Sequence, residues 1–243
     1  MSEENEVGMK RYERQLEVLG ETGQEALANS TAMVVGLGGL GSPAATYLAA
    51  AGFGELILVD HDEVALSNLN RQVLHGTGDL SRRKTRSARE KLKELDPEIS
   101  LKTVELELEE ESLKELPESD LVLGTVDNFD TRYLLNKYAV RKGIPYIHGA
   151  VEGFQGQLST VIPGESACLR CMFPEAAPEK AGVQVPGPTA GVLGTMMANE
   201  AIKYVTGTGK LATGKLLLFD LKANEFDSIE VNRVPDCPIC GQV

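Results

Sequence analysis

The sequence holds no apolar run approaching the roughly 18 residues that a membrane-spanning helix needs. Its opening stretch, "MSEENEVGMKRYERQ", is polar and acidic, unlike a secretory signal. Both absences lead to the expectation of a cytoplasmic protein with no membrane partner. Positive charge is in short supply: 24 lysines and arginines face 36 acids, for a formal net charge of −12. That balance argues against non-specific binding to nucleic-acid phosphates, so no nucleic-acid partner is expected, although a local basic site for a nucleotide is compatible with it. Histidine is limited to His61, His75 and His148, scattered without metal-like spacing, and polar packing accounts for each. Only four cysteines occur, and internal repeats and low-complexity tracts are absent.

What is present is an ordinary globular composition, 42% hydrophobic and 25% charged over 243 residues. That length suits one sizeable domain. The stretch "TAMVVGLGGLGSPAATYLAAAGFGELILVD", Thr31 to Asp60, reads as strand, glycine turn, helix and strand, the size of one βαβ unit. A helix is expected around Arg82 to Leu95, with Ala88, Leu92 and Leu95 on one face, and another around Thr131 to Lys142. Strands are expected at Leu101–Leu106 and Leu121–Leu123, then at "IPYIHG". Helices alternating with short apolar strands imply an α/β fold, a Rossmann-like doubly wound and mainly parallel sheet. After Gly149, "GQLSTVIPG" and "GKLLLFDLKANEFDSIEVNRV" read as strands without intervening helices, an antiparallel extension. Phe173 to Gly191 is rich in proline and glycine and reads as an unusually long loop, with helix returning over Val192 to Thr206. The expected organisation is a single domain over 1–243, with a helical arm (1–30), a nucleotide-binding core (31–150) and a final portion (151–243). The acidic run Val104 to Ser119 is read as a solvated surface.

The glycine turn Gly36-x-Gly38-x-x-Gly41, with Gly39 inside it, sits between strand and helix, where backbone can approach a phosphate at a helix N-terminus. Asp60 ends the next strand, where a carboxylate can hold ribose hydroxyls; these features alone indicate a nucleotide, with a dinucleotide as the default. The following loop, "DHDEVALSNLNRQVLH", packs Asn68, Asn70, Arg71 and Gln72 together, a set suited to a triphosphate: a forked guanidinium for phosphate oxygens and amides beside it. Lys84 adds a charge, although among Arg82, Arg83 and Arg86 it would by itself read as a surface lysine. Asp127 follows a strand, at the carboxyl edge where open α/β sheets bind ligands, and could hold Mg²⁺ or cap a helix. The two C-x-x-C pairs, Cys168 with Cys171 and Cys237 with Cys240, are read as a four-thiolate structural zinc site clipping the chain's end to its body.

Taken together, these stretches resemble the ThiF/HesA/MoeB family of adenylyltransferases, relatives of the ubiquitin-activating enzymes. The likeness runs in order through "RYERQ", "GLGGLGSP", "DHDEVALSNLNRQVLH", Lys84, "VDNFDTRYLLN", "GQLSTV", "CLRCMFP", "AGVLG" and "CPIC". It implies ATP-dependent adenylation of the C-terminal Gly-Gly carboxylate of a small ubiquitin-like carrier protein, with ATP, Mg²⁺ and Zn²⁺ as cofactors. It further implies that Gly36, Gly38, Gly39 and Gly41 cradle the nucleotide and that Asp60 binds ribose. Asp62, Ser67, Asn68, Arg71, Gln72 and Lys84 complete the nucleotide set, and Asp127 holds Mg²⁺ with Asn128 beside it. Arg14 resembles an arginine that acts on the partner subunit's site, which implies a homodimer. The sequence departs from the pattern in one respect. Several relatives carry a reactive cysteine shortly before "AGVLG"; its place here falls on or near Gly187, and the loop contains no thiol. Adenylation without an enzyme thioester is therefore expected. The competing readings are an NAD(P)-dependent oxidoreductase, which leaves Arg71, Lys84 and the cysteines unused, and adenylation of a different peptide carboxylate.

Overall fold

The structure, a computed structural model, describes residues 10–175 and 184–241. Eight strands form one sheet in the order β3-β2-β1-β4-β5-β6-β7-β8. The first five are β1 (Thr31–Val35), β2 (Glu55–Val59), β3 (Ser100–Val104), β4 (Leu121–Gly124) and β5 (Tyr146–Glu152). They pair in parallel. The last three, β6 (Gln155–Val161), β7 (Lys215–Asp220) and β8 (Glu225–Glu230), extend the sheet antiparallel as expected, although two helices, Leu169–Met172 and Gly187–Thr206, intervene between β6 and β7. Strand order reverses between β1 and β4, so the sheet's ligand-binding crevice is expected beyond their carboxyl ends.

Of the parallel strands, β1, β2 and β4 are buried on both faces and their side chains alternate between two cores, whereas the edge strand β3 holds no buried residue. Ala32, Val34, Leu56, Leu58, Leu121 and Leu123 join the core beneath α2 (Gly41–Ala51), α3 (Lys84–Leu95) and α6 (Gly187–Thr206). Met33, Val35, Ile57, Val59 and Val122 join the other, which contains α4 (Phe129–Lys142), the helical turn α5 (Leu169–Met172) and all four cysteines. Alanines 44, 45 and 49 of α2 are fully buried because α6 crosses close by; a Cβ at Gly194 of α6 would lie 2.3 Å from the Leu40 carbonyl oxygen.

Helix ends explain most departures from the sequence reading. Asn128, not Asp127, Asp130 or Thr131, caps α4: its Oδ1 accepts the Thr131 N–H at 2.8 Å. Ala88 and Leu92 are buried as expected, but Leu95 is 38% exposed, because α3 stops there. α6 starts at Gly187 rather than Val192, since Pro186 and Pro188 stand at its N-cap and first turn, where the missing amide costs nothing. Residues 176–183 of the expected long loop lie outside the described residues. The acidic run ends β3 at Val104 and supplies Glu105, which pairs with Arg83 and Arg86.

The arm helix α1 (Glu13–Ala28), kinked at Gly20, packs at the C-terminal end of α2. There Gln15 and Gln24 both donate to the Ala51 carbonyl, at 2.8 and 3.0 Å, and Tyr12 bonds Asp96. Burial and the Asp96 carboxylate push the Tyr12 hydroxyl up to about 12.

Candidate functional site

The crevice between β1 and β4 is built from backbone first. Gly36 leaves β1 with φ 94°, a left-handed conformation that favours glycine. A Cβ at Gly41 would stand 1.8 Å from the Gly36 carbonyl oxygen, so the turn closes only without one. Thr125, at the end of β4, donates its hydroxyl to the Val35 and Gly36 carbonyls at 2.7 and 2.5 Å and locks the two strand ends together. Asp60 accepts the Leu37 N–H at 2.6 Å through one oxygen and the Asp62 N–H at 2.7 Å through the other. It is buried, and both oxygens are engaged, so this carboxylate first of all shapes the turn. His75 completes the clamp on Leu37: its Nε2 meets the Leu37 carbonyl at 3.1 Å and its Nδ1 the Ser87 hydroxyl at 2.8 Å. Burial pushes its pKa down, which favours the neutral ring.

Polar side chains then converge on this turn. The aliphatic stem of Arg71 lies across Gly39, and the Gln72 amide lies beside Gly38. Arg71 donates to the Ser67 carbonyl and to Asn70 Oδ1, both at 3.0 Å, and among the described residues it meets no carboxylate. Gln72 is buried, and its Oε1 has no hydrogen-bond partner, an acceptor orphaned beside the glycine turn. Asn68 spends its Oδ1 on the Ala65 N–H. Lys84 departs from the surface-lysine reading: it is 5% exposed, and its Nζ reaches Asp62 Oδ2 at 2.7 Å. Burial opposes ionisation of Asp62, but Lys84 outweighs it and holds the carboxyl below the ordinary range. Asp127 projects from the neighbouring β4–α4 junction, and among the described residues its carboxylate makes no hydrogen bond or ion pair. The N-termini of α2 and α4 lie at this edge. That of α6 joins them, since Gly187 abuts the Asn70 backbone and Ala190 touches Gly39. Three helix N-termini and two cations thus give an acidic protein a local field suited to phosphate.

Arg14 lies elsewhere. Its helix packs at the C-terminal end of α2, while the glycine turn is at the other end. An 11-residue helix at about 1.5 Å per residue puts ~16 Å between them. Sequence reasoning missed Thr125 and Arg132. Arg132 donates to the Val126 carbonyl at 2.9 Å and so fixes the peptide leading into Asp127. Only the adjacency of β1 and β4 marks Thr125, whereas Arg132 is marked by the return of its guanidinium onto Val126, six residues earlier.

On the opposite face, the four cysteine sulfurs lie within 4.8 Å of one another, all buried. The separations for Cys168–Cys171, Cys168–Cys237 and Cys171–Cys240 are 4.0, 3.7 and 3.5 Å. Disulfide sulfurs would stand about 2.05 Å apart. A tetrahedral ion with bonds of about 2.3 Å would set its sulfurs ~3.8 Å apart, so this donor set fits zinc. Burial pushes the Cys168 thiol up. Burial opposes ionisation of Cys237 as well, but the amides of Cys240 and Ile239 outweigh it and bring that thiol down to about 7.

Fold and crevice together define a nucleotide-binding α/β protein of Rossmann-like class. Within that class the chain belongs to the ThiF family, whose profile matches residues 12–239. It is 40% identical over 242 residues to the SAMP-activating enzyme E1 of Haloferax volcanii, covering 96% of this chain and 89% of that protein. It is 41% identical over 246 residues to the sulfur carrier protein ThiS adenylyltransferase of Escherichia coli, covering 98% and 97%. Among solved structures, E. coli MccB, determined with ATP and with MccA-N7isoAsn, superposes with a TM-score of 0.88 at 26% identity, over 95% of this chain and 74% of that one. No helix among the described residues is long and apolar enough to cross a membrane.

Proposed function

We propose that the protein adenylates the C-terminal Gly-Gly carboxylate of a small ubiquitin-like sulfur-carrier protein, using Mg²⁺·ATP. A carboxylate oxygen attacks the α-phosphorus, the bond to the β-phosphate bridging oxygen breaks, and pyrophosphate leaves with the electron pair. The product is an acyl-adenylate. A carboxylate is already ionised at neutral pH, so the chain supplies alignment and charge stabilisation rather than a general base. One observation carries this reading: the glycine turn, the unpaired Arg71, the inward Lys84 and the uncommitted Asp127 meet at one sheet edge. An oxidoreductase has no use for the last three.

In this reading Gly36, Gly38, Gly39 and Gly41 admit the phosphates, and Asp60 holds ribose through its remaining lone pairs. Asp62, Ser67, Asn68 and Gln72 line the nucleotide, with Arg71 and Lys84 on the phosphates. Asp127 would hold Mg²⁺, with Asn128 beside it, and the ion would offset phosphate charge. Cys168, Cys171, Cys237 and Cys240 hold one zinc, leaving the chain no thiol for a covalent carrier intermediate. The reactive unit is a homodimer in which Arg14 completes the partner subunit's site. Its remoteness from its own glycine turn supports this. So does the exposure of Leu66 and Val73 in the phosphate loop, 71% and 72%, as on a face that a second copy covers. The likeness to MccB keeps a second reading in view, adenylation of a different peptide carboxylate.

The test is ATP–pyrophosphate exchange with a panel of small Gly-Gly-ending proteins and, separately, short peptides. Exchange is expected with a carrier and not with peptides. Asp127→Ala or Arg71→Ala should lower it at least 100-fold while leaving the unfolding midpoint unchanged. Exchange with neither substrate class would sink the proposal, and exchange with peptides alone would establish the second reading.

A further inference from the structure

His75 joins the three stretches of chain that carry the phosphate-binding groups. It follows Arg71 and Gln72 in one turn, which its N–H closes on the Gln72 carbonyl at 3.0 Å. One ring nitrogen, Nε2, meets the Leu37 carbonyl of the glycine turn at 3.1 Å. The other, Nδ1, meets the hydroxyl of Ser87 at 2.8 Å, in the same first turn of α3 as Lys84. The ring is 6% exposed, and Leu37 and Ser87 are fully buried, so bulk water cannot take over either bond. A carbonyl only accepts. Nε2 therefore carries the proton, and Nδ1 is left bare to accept from Ser87.

The Leu37 carbonyl belongs to the same planar unit as the Gly38 N–H. In a trans peptide those two groups point in opposite directions, and the described residues contain no cis peptide. Drawing the carbonyl onto the buried ring thus turns the Gly38 N–H away from the ring. Among the described residues no hydrogen bond takes that N–H up. It stands in the turn ahead of α2, where free amides receive phosphate. The peptide before it is fixed as well, because the Leu37 N–H is held by Asp60 at 2.6 Å. The other donor to the Leu37 carbonyl, Ser42 Oγ, stands 3.4 Å away, long for a hydroxyl bond. Without the ring this peptide could turn over at little cost, since the residue absorbing the rotation is a glycine.

We propose that His75 is a positioning residue for the nucleotide: through Nε2 it aims the Gly38 N–H at the phosphates, and through Nδ1 it keeps the helix of Lys84 against the same turn. The inference rests on the nucleotide reading above. In wild-type protein labelled with ¹⁵N-histidine, two-bond ¹H–¹⁵N correlation at pH 7 should show His75 with Nε2 protonated and Nδ1 bare. His75→Leu removes both bonds. By titration calorimetry it should bind Mg²⁺·ATP at least about tenfold more weakly but adenosine within about twofold of wild type. The Gly38 amide resonance, which Mg²⁺·ATP should shift in wild type, should no longer respond. His75→Gln can place an amide N–H where Nε2 stood, and should restore Mg²⁺·ATP binding to within about threefold of wild type. A histidine that merely supported the fold would lose ATP and adenosine together. The opposite tautomer, equal losses for the two ligands, or undiminished ATP binding in His75→Leu would overturn the assignment. Should His75→Leu not fold, the tautomer and a failure of His75→Gln to bind Mg²⁺·ATP remain decisive. Wild-type protein that bound no Mg²⁺·ATP would bring down the nucleotide reading itself, and this assignment with it.

Discussion

Replacing Asp79 by asparagine should weaken the fold at neutral pH and matter progressively less in acid. The carboxylate is 3% exposed in the loop between β2 and α3 that carries Asn68 and Arg71. One oxygen takes Arg82 Nη1 at 2.9 Å; the other takes Lys91 Nζ at 2.8 Å and the Gly76 N–H at 2.9 Å. Burial opposes its ionisation, but Lys91 and the Gly76 amide outweigh burial and bring the carboxyl down to about 2. Against an ordinary aspartate near 3.9, a drop of roughly 2 units at ~1.4 kcal/mol each sets a ceiling of about 2.6 kcal/mol. Arg82 and Lys91 are more than a third exposed, so solvent screening reduces the working figure to about 1–2 kcal/mol. The sign follows from the depressed folded-state value. The contribution is complete above the unfolded pKa, near 4, and fades as pH falls from there toward 2. Urea unfolding of wild type and Asp79→Asn between pH 7 and pH 2.5 measures it, and the two stability curves should converge in acid. A gap below ~0.5 kcal/mol at pH 7, or one constant across the range, would refute the reasoning.

Gly41→Ala should cost ~3 kcal/mol or more, because the clash at 1.8 Å is backbone against side chain with no rotamer to relieve it. Urea unfolding checks this, and Mg²⁺·ATP should no longer raise the variant's Tm; a midpoint matching wild type would contradict it. Cys171→Ala removes one of four converging sulfurs, so metal content should fall from about one per chain towards zero, with a Tm loss of many degrees. A variant keeping both its metal and its Tm would dispose of the clip.

The sequence made the sheet legible wherever burial was two-sided and the helices wherever an end signal was unambiguous. Thr31–Val35 stands out because a glycine follows its apolar run and Glu55–Val59 because one precedes it, and the antiparallel β7–β8 pair lies in one stretch with no helix inside it. Proline misled at Pro186 and Pro188, since a residue that breaks a helix interior also starts one. Lys84 illustrates the limit for the site. Among four neighbouring cations, local pattern does not reveal which one turns inward; Asp62, 22 residues earlier, decides it. Asp60 was found by position, but its engagement with two amides depends on where the glycine turn returns. Asn136 was invisible as more than a helix residue, because its partner Leu169 lies 33 positions later and only the fold brings the two near.

The docking of the arm far from its own glycine turn has a consequence in mass action. If each crevice borrows Arg14 from a second chain, finished sites form only in pairs, and a solitary chain holds none. Dilution then removes active sites faster than it removes protein, and specific activity becomes a function of concentration. Mixing a chain lacking Arg14 with one lacking Asp127 would restore one complete crevice in each mixed pair. Under the proposed pairing the arm would be more than packing at the end of α2, and its placement would make the protein's own abundance one of its regulators.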